Sequence, residues 1–80
     1  MAMFKIFELA RARKRATAFT KQWVKDNPQE ANESAANYKK RASAAVQEDL
    51  QGAGFEIALI MEIIKFAMEL IAAWKAKKSA

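Results

Sequence analysis

The side chains that could do acid–base or nucleophilic chemistry in this 80-residue chain are carboxylates and hydroxyls, because histidine and cysteine are absent. Glu62 and Glu69 are spaced to lie two turns apart on one face of a helix, where they could line a di-metal site in a helical bundle. Such metal sites also need a Glu-x-x-His pair, and this sequence has none. No Ser or Thr has a base partner at a suggestive spacing, and no glycine-rich phosphate loop occurs. We therefore predict that the protein is not an enzyme and has no metal, cofactor or small-molecule substrate.

Positive charge is concentrated near the amino terminus of the chain. Residues 1–25 hold seven Lys or Arg against one Glu, a net charge of +6 in a chain whose total is +5. Such a surface attracts polyanions, either nucleic-acid phosphates or lipid headgroups. Because the chain shows no zinc finger, basic zipper or helix-turn-helix pattern, we expect any nucleic-acid binding to lack sequence preference. The predicted polyanion contacts are Arg11, Arg13, Lys14, Arg15 and Lys21.

The segment 55–74 is apolar around most of a helix rather than along one stripe. A helix of this kind must be enclosed by other protein or by lipid. Its charged residues Glu62, Lys65 and Glu69 fall in one narrow sector, which we expect to lie in a polar contact or at a solvent-facing edge. The predicted self-association residues, which we expect between subunits, are Phe55, Ile57, Leu59, Ile60, Ile63, Ile64, Phe66, Leu70, Ile71 and Trp74.

Helix breakers divide the chain at two points, since it contains one Pro and two Gly. Asn27 suits a helix N-cap with Pro28 at the first helical position, and Gly52 suits a left-handed C-cap. No segment combines strand alternation with turn chemistry. The pattern predicts one all-α domain over residues 1–80, with helices at about 3–25, 28–51 and 55–77.

The three predicted helices differ in how much apolar surface they offer. Helix one carries a seam at 3-4 spacing, formed by Leu9, Ala12, Ala16, Phe19 and Trp23. A separate amino-terminal patch, predicted to contact something outside the protomer, consists of Met3, Phe4, Ile6 and Phe7. The seam of helix two is mostly small residues, and it consists of Ala31, Ala35, Tyr38, Ala42 and Ala45. Because small side chains bury little area, helix three is left partly uncovered in a monomer, which favours a homo-oligomer.

Short connections favour an up-down-up bundle, in which helices one and three run parallel. This arrangement places Trp23 near Trp74 at one end and Phe7 near Phe55 at the other. The alternative fold is a helical hairpin with a separate amino-terminal helix, which would pack on a neighbouring subunit.

These patterns predict a small non-catalytic helical interaction or assembly protein that self-associates through its carboxy-terminal helix. One alternative is a cationic membrane-active or membrane-anchored protein, since residues 55–74 are long enough to cross a bilayer and end at Trp74, with Lys75, Lys77 and Lys78 just after it as an interfacial anchor. Against insertion, Glu62 and Lys65 lie at mid-span, where each costs roughly 2.5 to 3.5 kcal/mol.

A second alternative is a sequence-independent nucleic-acid binder that uses the basic first helix.

The sequence gives only weak information on the cellular location of the protein. The amino terminus places apolar residues before basic ones, which is the wrong order for a secretory signal. A cytoplasmic or membrane-associated location is therefore favoured.

Overall fold

The computed structural model describes the backbone of residues 6–79 and the side chains of residues 6–75. These residues form three α-helices and no strand: α1 (Ile6–Asp26), α2 (Ala35–Gly52) and α3 (Ile57–Ser79). Each helix packs against the other two, which confirms the predicted all-α fold of three helices. The alternative with a separate first helix is wrong, because Ala12 and Ala16 of α1 are fully buried in a core shared with α2 and α3.

Helix α2 runs antiparallel to α1. Near the end of α1, the ring of Trp23 lies 5.3 Å from the ring of Tyr38, which is close to the start of α2. Further back along α1, Arg15 Nε donates a hydrogen bond of 2.9 Å to Asp49 Oδ2, close to the end of α2. The two contacts fix the relative direction of the helices and give the up-down half of the bundle.

The core has two parts along the bundle. The larger part consists of Ala12, Ala16, Val46, Leu50, Leu59, Ile60, Ile63 and Ala67. In the smaller part, Tyr38, Ala42 and Ile71 are buried, and Trp23 and Trp74 both pack against them. The two tryptophans therefore lie near one end of a bundle in which α1 and α3 run parallel.

The predicted approach of Phe7 to Phe55 at the other end is wrong. Phe55 packs against the larger part of the core. Phe7 is 80% exposed, because it lies on the side of α1 opposite the seam that contains Ala12 and Ala16. The seam itself is correct, and fully buried Thr20 joins it.

Helix α2 begins at Ala35 rather than at residue 28, so the predicted start is wrong. Ser34 is the N-cap, with extended backbone angles and a side-chain oxygen that accepts a 3.0 Å hydrogen bond from Asn37 N. Asn27 instead continues the end of α1, since its backbone N–H donates to Trp23 O at 2.8 Å. Ala35, predicted in the seam of helix two, is therefore exposed at the first turn.

The residues between α1 and α2 form an ordered connection. Ala31, also predicted in the seam, is exposed in this connection. The backbone N–H of Glu33 donates to Glu30 O at 3.0 Å, and the side-chain amide of Gln29 donates to Glu33 O at 2.6 Å. Local hydrogen bonds of this kind compete with helix formation, which explains why α2 does not begin at Pro28 after an Asn27 cap.

A glycine does end α2 in a left-handed conformation, but it is Gly54 and not Gly52. Gly54 has φ +89°, whereas Gly52 is still helical. Gly54 N donates to Gln51 O and Phe55 N donates to Leu50 O, the hydrogen-bond pattern of a Schellman motif. The turn directs the chain into α3 with Phe55 packed on the core.

Candidate interaction surfaces

Four of the predicted self-association residues are buried within the protomer. Leu59, Ile60, Ile63 and Ile71 are each at most 1% exposed, because α1 and α2 together cover this face of α3. As core residues of the single chain, these four are not available for a contact between subunits unless the bundle opens, and their role in self-association stays a prediction. The other six remain at least partly exposed, namely Phe55, Ile57, Ile64, Phe66, Leu70 and Trp74.

The most exposed large apolar residues of α3 lie on a stripe along one side of the helix. Ile57 is 56% exposed and Met61 is 55% exposed, while Ile64 and Met68 are half-buried and pack against the core. The four residues follow a 4-3-4 spacing and so share one side of the helix. We call this set, Ile57, Met61, Ile64 and Met68, the α3 stripe.

The α3 stripe lies on the flank of α3 that faces away from α1. Phe66 marks the opposite flank, since Arg13 of α1 lies over its ring with Cζ 5.4 Å from the ring centroid. At 100° per residue, the stripe is centred about 170° from Phe66. Met61 and Met68 were absent from the predicted self-association residues, which included only Phe, Ile, Leu and Trp, although their spacing from Ile57 places them on the same side of the helix.

The charged residues of α3 point to solvent in the protomer. Glu62, Lys65 and Glu69 are all exposed, as their shared sector predicted. Lys65 Nζ lies 4.0 Å from Glu62 Oε1, and both side chains keep most of their surface accessible. Exposed pairs of this kind contribute little to stability and leave the charges available to a partner.

The amino-terminal contact patch falls partly outside the described residues, which begin at Ile6 and so exclude Met3 and Phe4. Ile6 is 82% exposed and Phe7 is 80% exposed. Large apolar side chains this open contribute nothing to the core of the protomer, so they are available for an external contact.

The predicted polyanion contacts divide into engaged and open side chains. Arg15 forms an ion pair with Asp49 at 2.9 Å, and the hydrogen bonds that it donates to that carboxylate raise the pKa of its guanidinium. Arg13 lies over the ring of Phe66. Arg11, Lys14 and Lys21 are exposed and make no ion pair within the described part of the chain.

An aromatic and charged cluster closes the end of the bundle near the α1–α2 connection. Arg41 Cζ lies 5.6 Å from the ring centroid of Trp23 and 5.5 Å from that of Tyr38, within cation–π range. Tyr38 is buried, which raises the pKa of its hydroxyl, and the hydroxyl donates to Asn27 O at 2.6 Å. Tyr38 is therefore a core residue rather than an exposed platform for a base.

Glu33, which lies in the connection between α1 and α2, also belongs to this cluster. Arg41 Nε and Nη2 each donate to its carboxylate at 2.7 Å, and only 5% of its side-chain surface is exposed. These hydrogen bonds from Arg41 are the main reason that the pKa of Glu33 falls to about 2. Glu33 precedes the N-cap of α2, Ser34, and so lies in the connection rather than in the helix.

A cleft of about 210 Å³ lies beside this cluster, lined by Val24, Pro28, Gln29, Tyr38, Ile71, Trp74 and Lys75. Its walls are mainly apolar, and its one hydroxyl already donates to Asn27 O. Among the side chains that the structure describes, no three acidic residues come together as a metal site. Within the same part of the chain, no helix combines the length and apolar character of a bilayer span.

Comparison of the chain with models of protein families, with curated proteins and with solved structures gives no match. The function must therefore be inferred from the surfaces themselves. Two of them stand out, the α3 stripe and the open cations of α1.

Proposed function

We propose that this chain is a small non-catalytic helical interaction protein that self-associates through the α3 stripe. The observation that carries the proposal is the exposure of Ile57 and Met61, at 56% and 55%, on the first two turns of α3. A contact there removes apolar surface from water without disturbing the core, at about 25 cal/mol per Å². Methionine adds adaptability, since its flexible side chain suits contact surfaces.

The charges beside the stripe favour a second copy of the chain as the partner. Lys65 lies one turn from both Met61 and Met68, and Glu62 and Glu69 lie beyond it on the same exposed sector. A twofold contact brings the same mixed charges from both copies, so Lys65 of one copy can pair with Glu62 or Glu69 of the other. A partner whose surface carries only one sign of charge would leave either Lys65 or the two glutamates without an opposite charge.

The size of the stripe limits the strength of the contact. Ile64 and Met68 are already half-buried in the protomer, so they add only part of their surface. Interfaces with little buried area are at the weak end of specific association. We therefore expect dimers at micromolar rather than nanomolar concentrations.

Sedimentation velocity of the chain in detergent-free buffer tests the proposal. We expect the average mass to rise from monomer to dimer across the micromolar range. Met61→Glu should weaken the association by at least about tenfold, because a charged group in the apolar contact would lose most of its hydration. Since Met61 is exposed, the variant should keep its helix content by circular dichroism.

The matched control is Ala44→Glu, which adds the same charge at an exposed position of α2 outside the stripe. This variant should associate like the wild-type chain. A wild-type chain that stays monomeric throughout the micromolar range contradicts the proposal, as does equal weakening by both variants.

A further inference from the structure

The outward side of α1 carries a row of exposed residues that plays no part in the bundle. We call it the α1 ridge, and it consists of Phe7, Arg11, Lys14, Ala18, Lys21 and Lys25. The 4-3-4-3-4 spacing keeps these residues within a sector of about 80°, and its four cations span about 21 Å along the helix axis. All six residues are exposed.

The cations of the α1 ridge are unneutralised. Arg15 and Arg41 form ion pairs with Asp49 and Glu33, whereas Arg11, Lys14, Lys21 and Lys25 form none in the described part of the chain. Asp26, the acid closest to the far end of the ridge, accepts a hydrogen bond from Gln22 instead. The ridge thus presents a line of positive charge to solvent.

Exposed apolar residues stand at the amino end of the same row. Phe7 is on the ridge at 80% exposure, and Ile6 beside it is 82% exposed. Contact with the phosphates of duplex nucleic acid uses cations and does not require such side chains. A lipid surface uses both, because cations bind the headgroups while apolar side chains enter the region just below them.

We infer that the α1 ridge docks α1 on the surface of an anionic lipid bilayer, with Phe7 and Ile6 entering the headgroup boundary. The four cations match negative lipid phosphates, and each Lys or Arg near such a surface raises partition by roughly fivefold. Together they supply a gain of several hundredfold, on the order expected for reversible binding. The α3 stripe is not involved, so this inference stands whether or not the chain self-associates.

Flotation of the full chain with lipid vesicles tests this inference. We expect binding to vesicles that contain phosphatidylglycerol, little binding to phosphatidylcholine vesicles, and a decrease as salt rises. The double variant Lys14→Gln with Lys21→Gln should bind roughly 30-fold more weakly. Its control, Lys39→Gln with Lys40→Gln on α2, changes the net charge equally and should stay close to wild type.

The variant Phe7→Ala separates a lipid surface from a nucleic acid. Because Phe7 is exposed, the change should leave folding intact and lower vesicle binding roughly tenfold. Three results overturn the inference: no binding to anionic vesicles, equal loss in both double variants, or unchanged vesicle binding by Phe7→Ala. Binding to mixed-sequence duplex DNA that anionic vesicles cannot compete away also overturns it, and assigns the ridge to nucleic acid.

Discussion

Glu33 ties the connection between α1 and α2 to the aromatic end of the bundle. Besides the two hydrogen bonds from Arg41, its carboxylate accepts one from Asn37 Nδ2 at 2.7 Å and one from Glu30 N at 3.2 Å. Arg41 in turn lies over Trp23 and Tyr38. A single acidic residue therefore helps to position the N-terminal turn of α2 and the guanidinium that covers both rings.

The low pKa of Glu33 predicts an acid-sensitive contribution to stability. The pKa falls from its ordinary value of 4.5 to about 2 in the folded chain, so the folded state binds this proton less readily than the unfolded state. The contribution is fully present above pH 4.5 and is lost as the pH falls toward 2. Thermal unfolding, followed by circular dichroism across this window, should show a smaller decrease in Tm for Glu33→Gln than for wild type.

Glu48→Gln is the control for this titration, because Glu48 is exposed and makes no ion pair among the described residues. Its Tm should follow the wild-type decrease. If Glu33→Gln loses as much Tm between pH 4.5 and 2 as wild type does, the paired carboxylate is not the source of the acid sensitivity.

At the scale of the elements, α1 contributes small side chains to the shared core. Ala12 and Ala16 are fully buried, and both lie in the same core part as Leu50 and Ile60. Alanine at these positions lets α1 approach closely enough for the larger residues of α2 and α3 to fill the centre. The position of α1, and of the ridge on its other side, depends on this close approach.

Enlarging the α1 seam should therefore destabilise the bundle. We expect Ala16→Leu to lower the free energy of unfolding by about 1 to 3 kcal/mol, since the added atoms have no space in a packed core. Ala18→Leu makes the same change at an exposed position and should shift it by no more than about 0.5 kcal/mol. Urea denaturation measures both, and a fully stable Ala16→Leu variant would contradict close packing of α1.

Most element boundaries could be predicted from the sequence, and the exceptions have a common cause. The predicted third helix differs from α3 by two residues at each end. For α2, Asn27 followed by Pro28 and Ser34 both offer capping chemistry, and local patterns cannot rank them. Tertiary contacts distinguish them, because Tyr38 bonds to Asn27 O and Arg41 to Glu33 when the helix begins after Ser34.

The candidate surfaces could be predicted only in part, because the spacing of residues does not show which side chains are paired or covered. Spacing alone shows that Arg11, Lys14 and Lys21 share a side of α1, but it cannot show that Arg15 has Asp49 as a partner. Likewise, Ile and Leu residues have the same apolar signal whether they face the core or another subunit. Which side of α3 is covered depends on how α1 and α2 pack, and this is a long-range property.

At the scale of the whole molecule, α1 and α2 cover more of the apolar surface of α3 than their many small residues suggest. Ala12 and Ala16 of α1, together with Val46 and Leu50 of α2, bury the face of α3 that includes Leu59 and Ile63. The large apolar side chains of α3 that stay most exposed, Ile57 and Met61, belong to the α3 stripe at the edge of the core. The molecule thus presents an apolar stripe, which we propose as the contact for a second copy, and on another helix a cationic ridge, which we propose as the contact for a lipid surface.

Crosslinking at position 61 tests the central claim, self-association through the α3 stripe, most directly. The natural chain has no cysteine, so Met61→Cys and Ala44→Cys each introduce a single thiol at an exposed position. With a short bis-maleimide at micromolar protein concentration, Met61→Cys should give a covalent dimer in high yield and Ala44→Cys only the low yield of random collisions. Equal yields from the two variants would contradict the account.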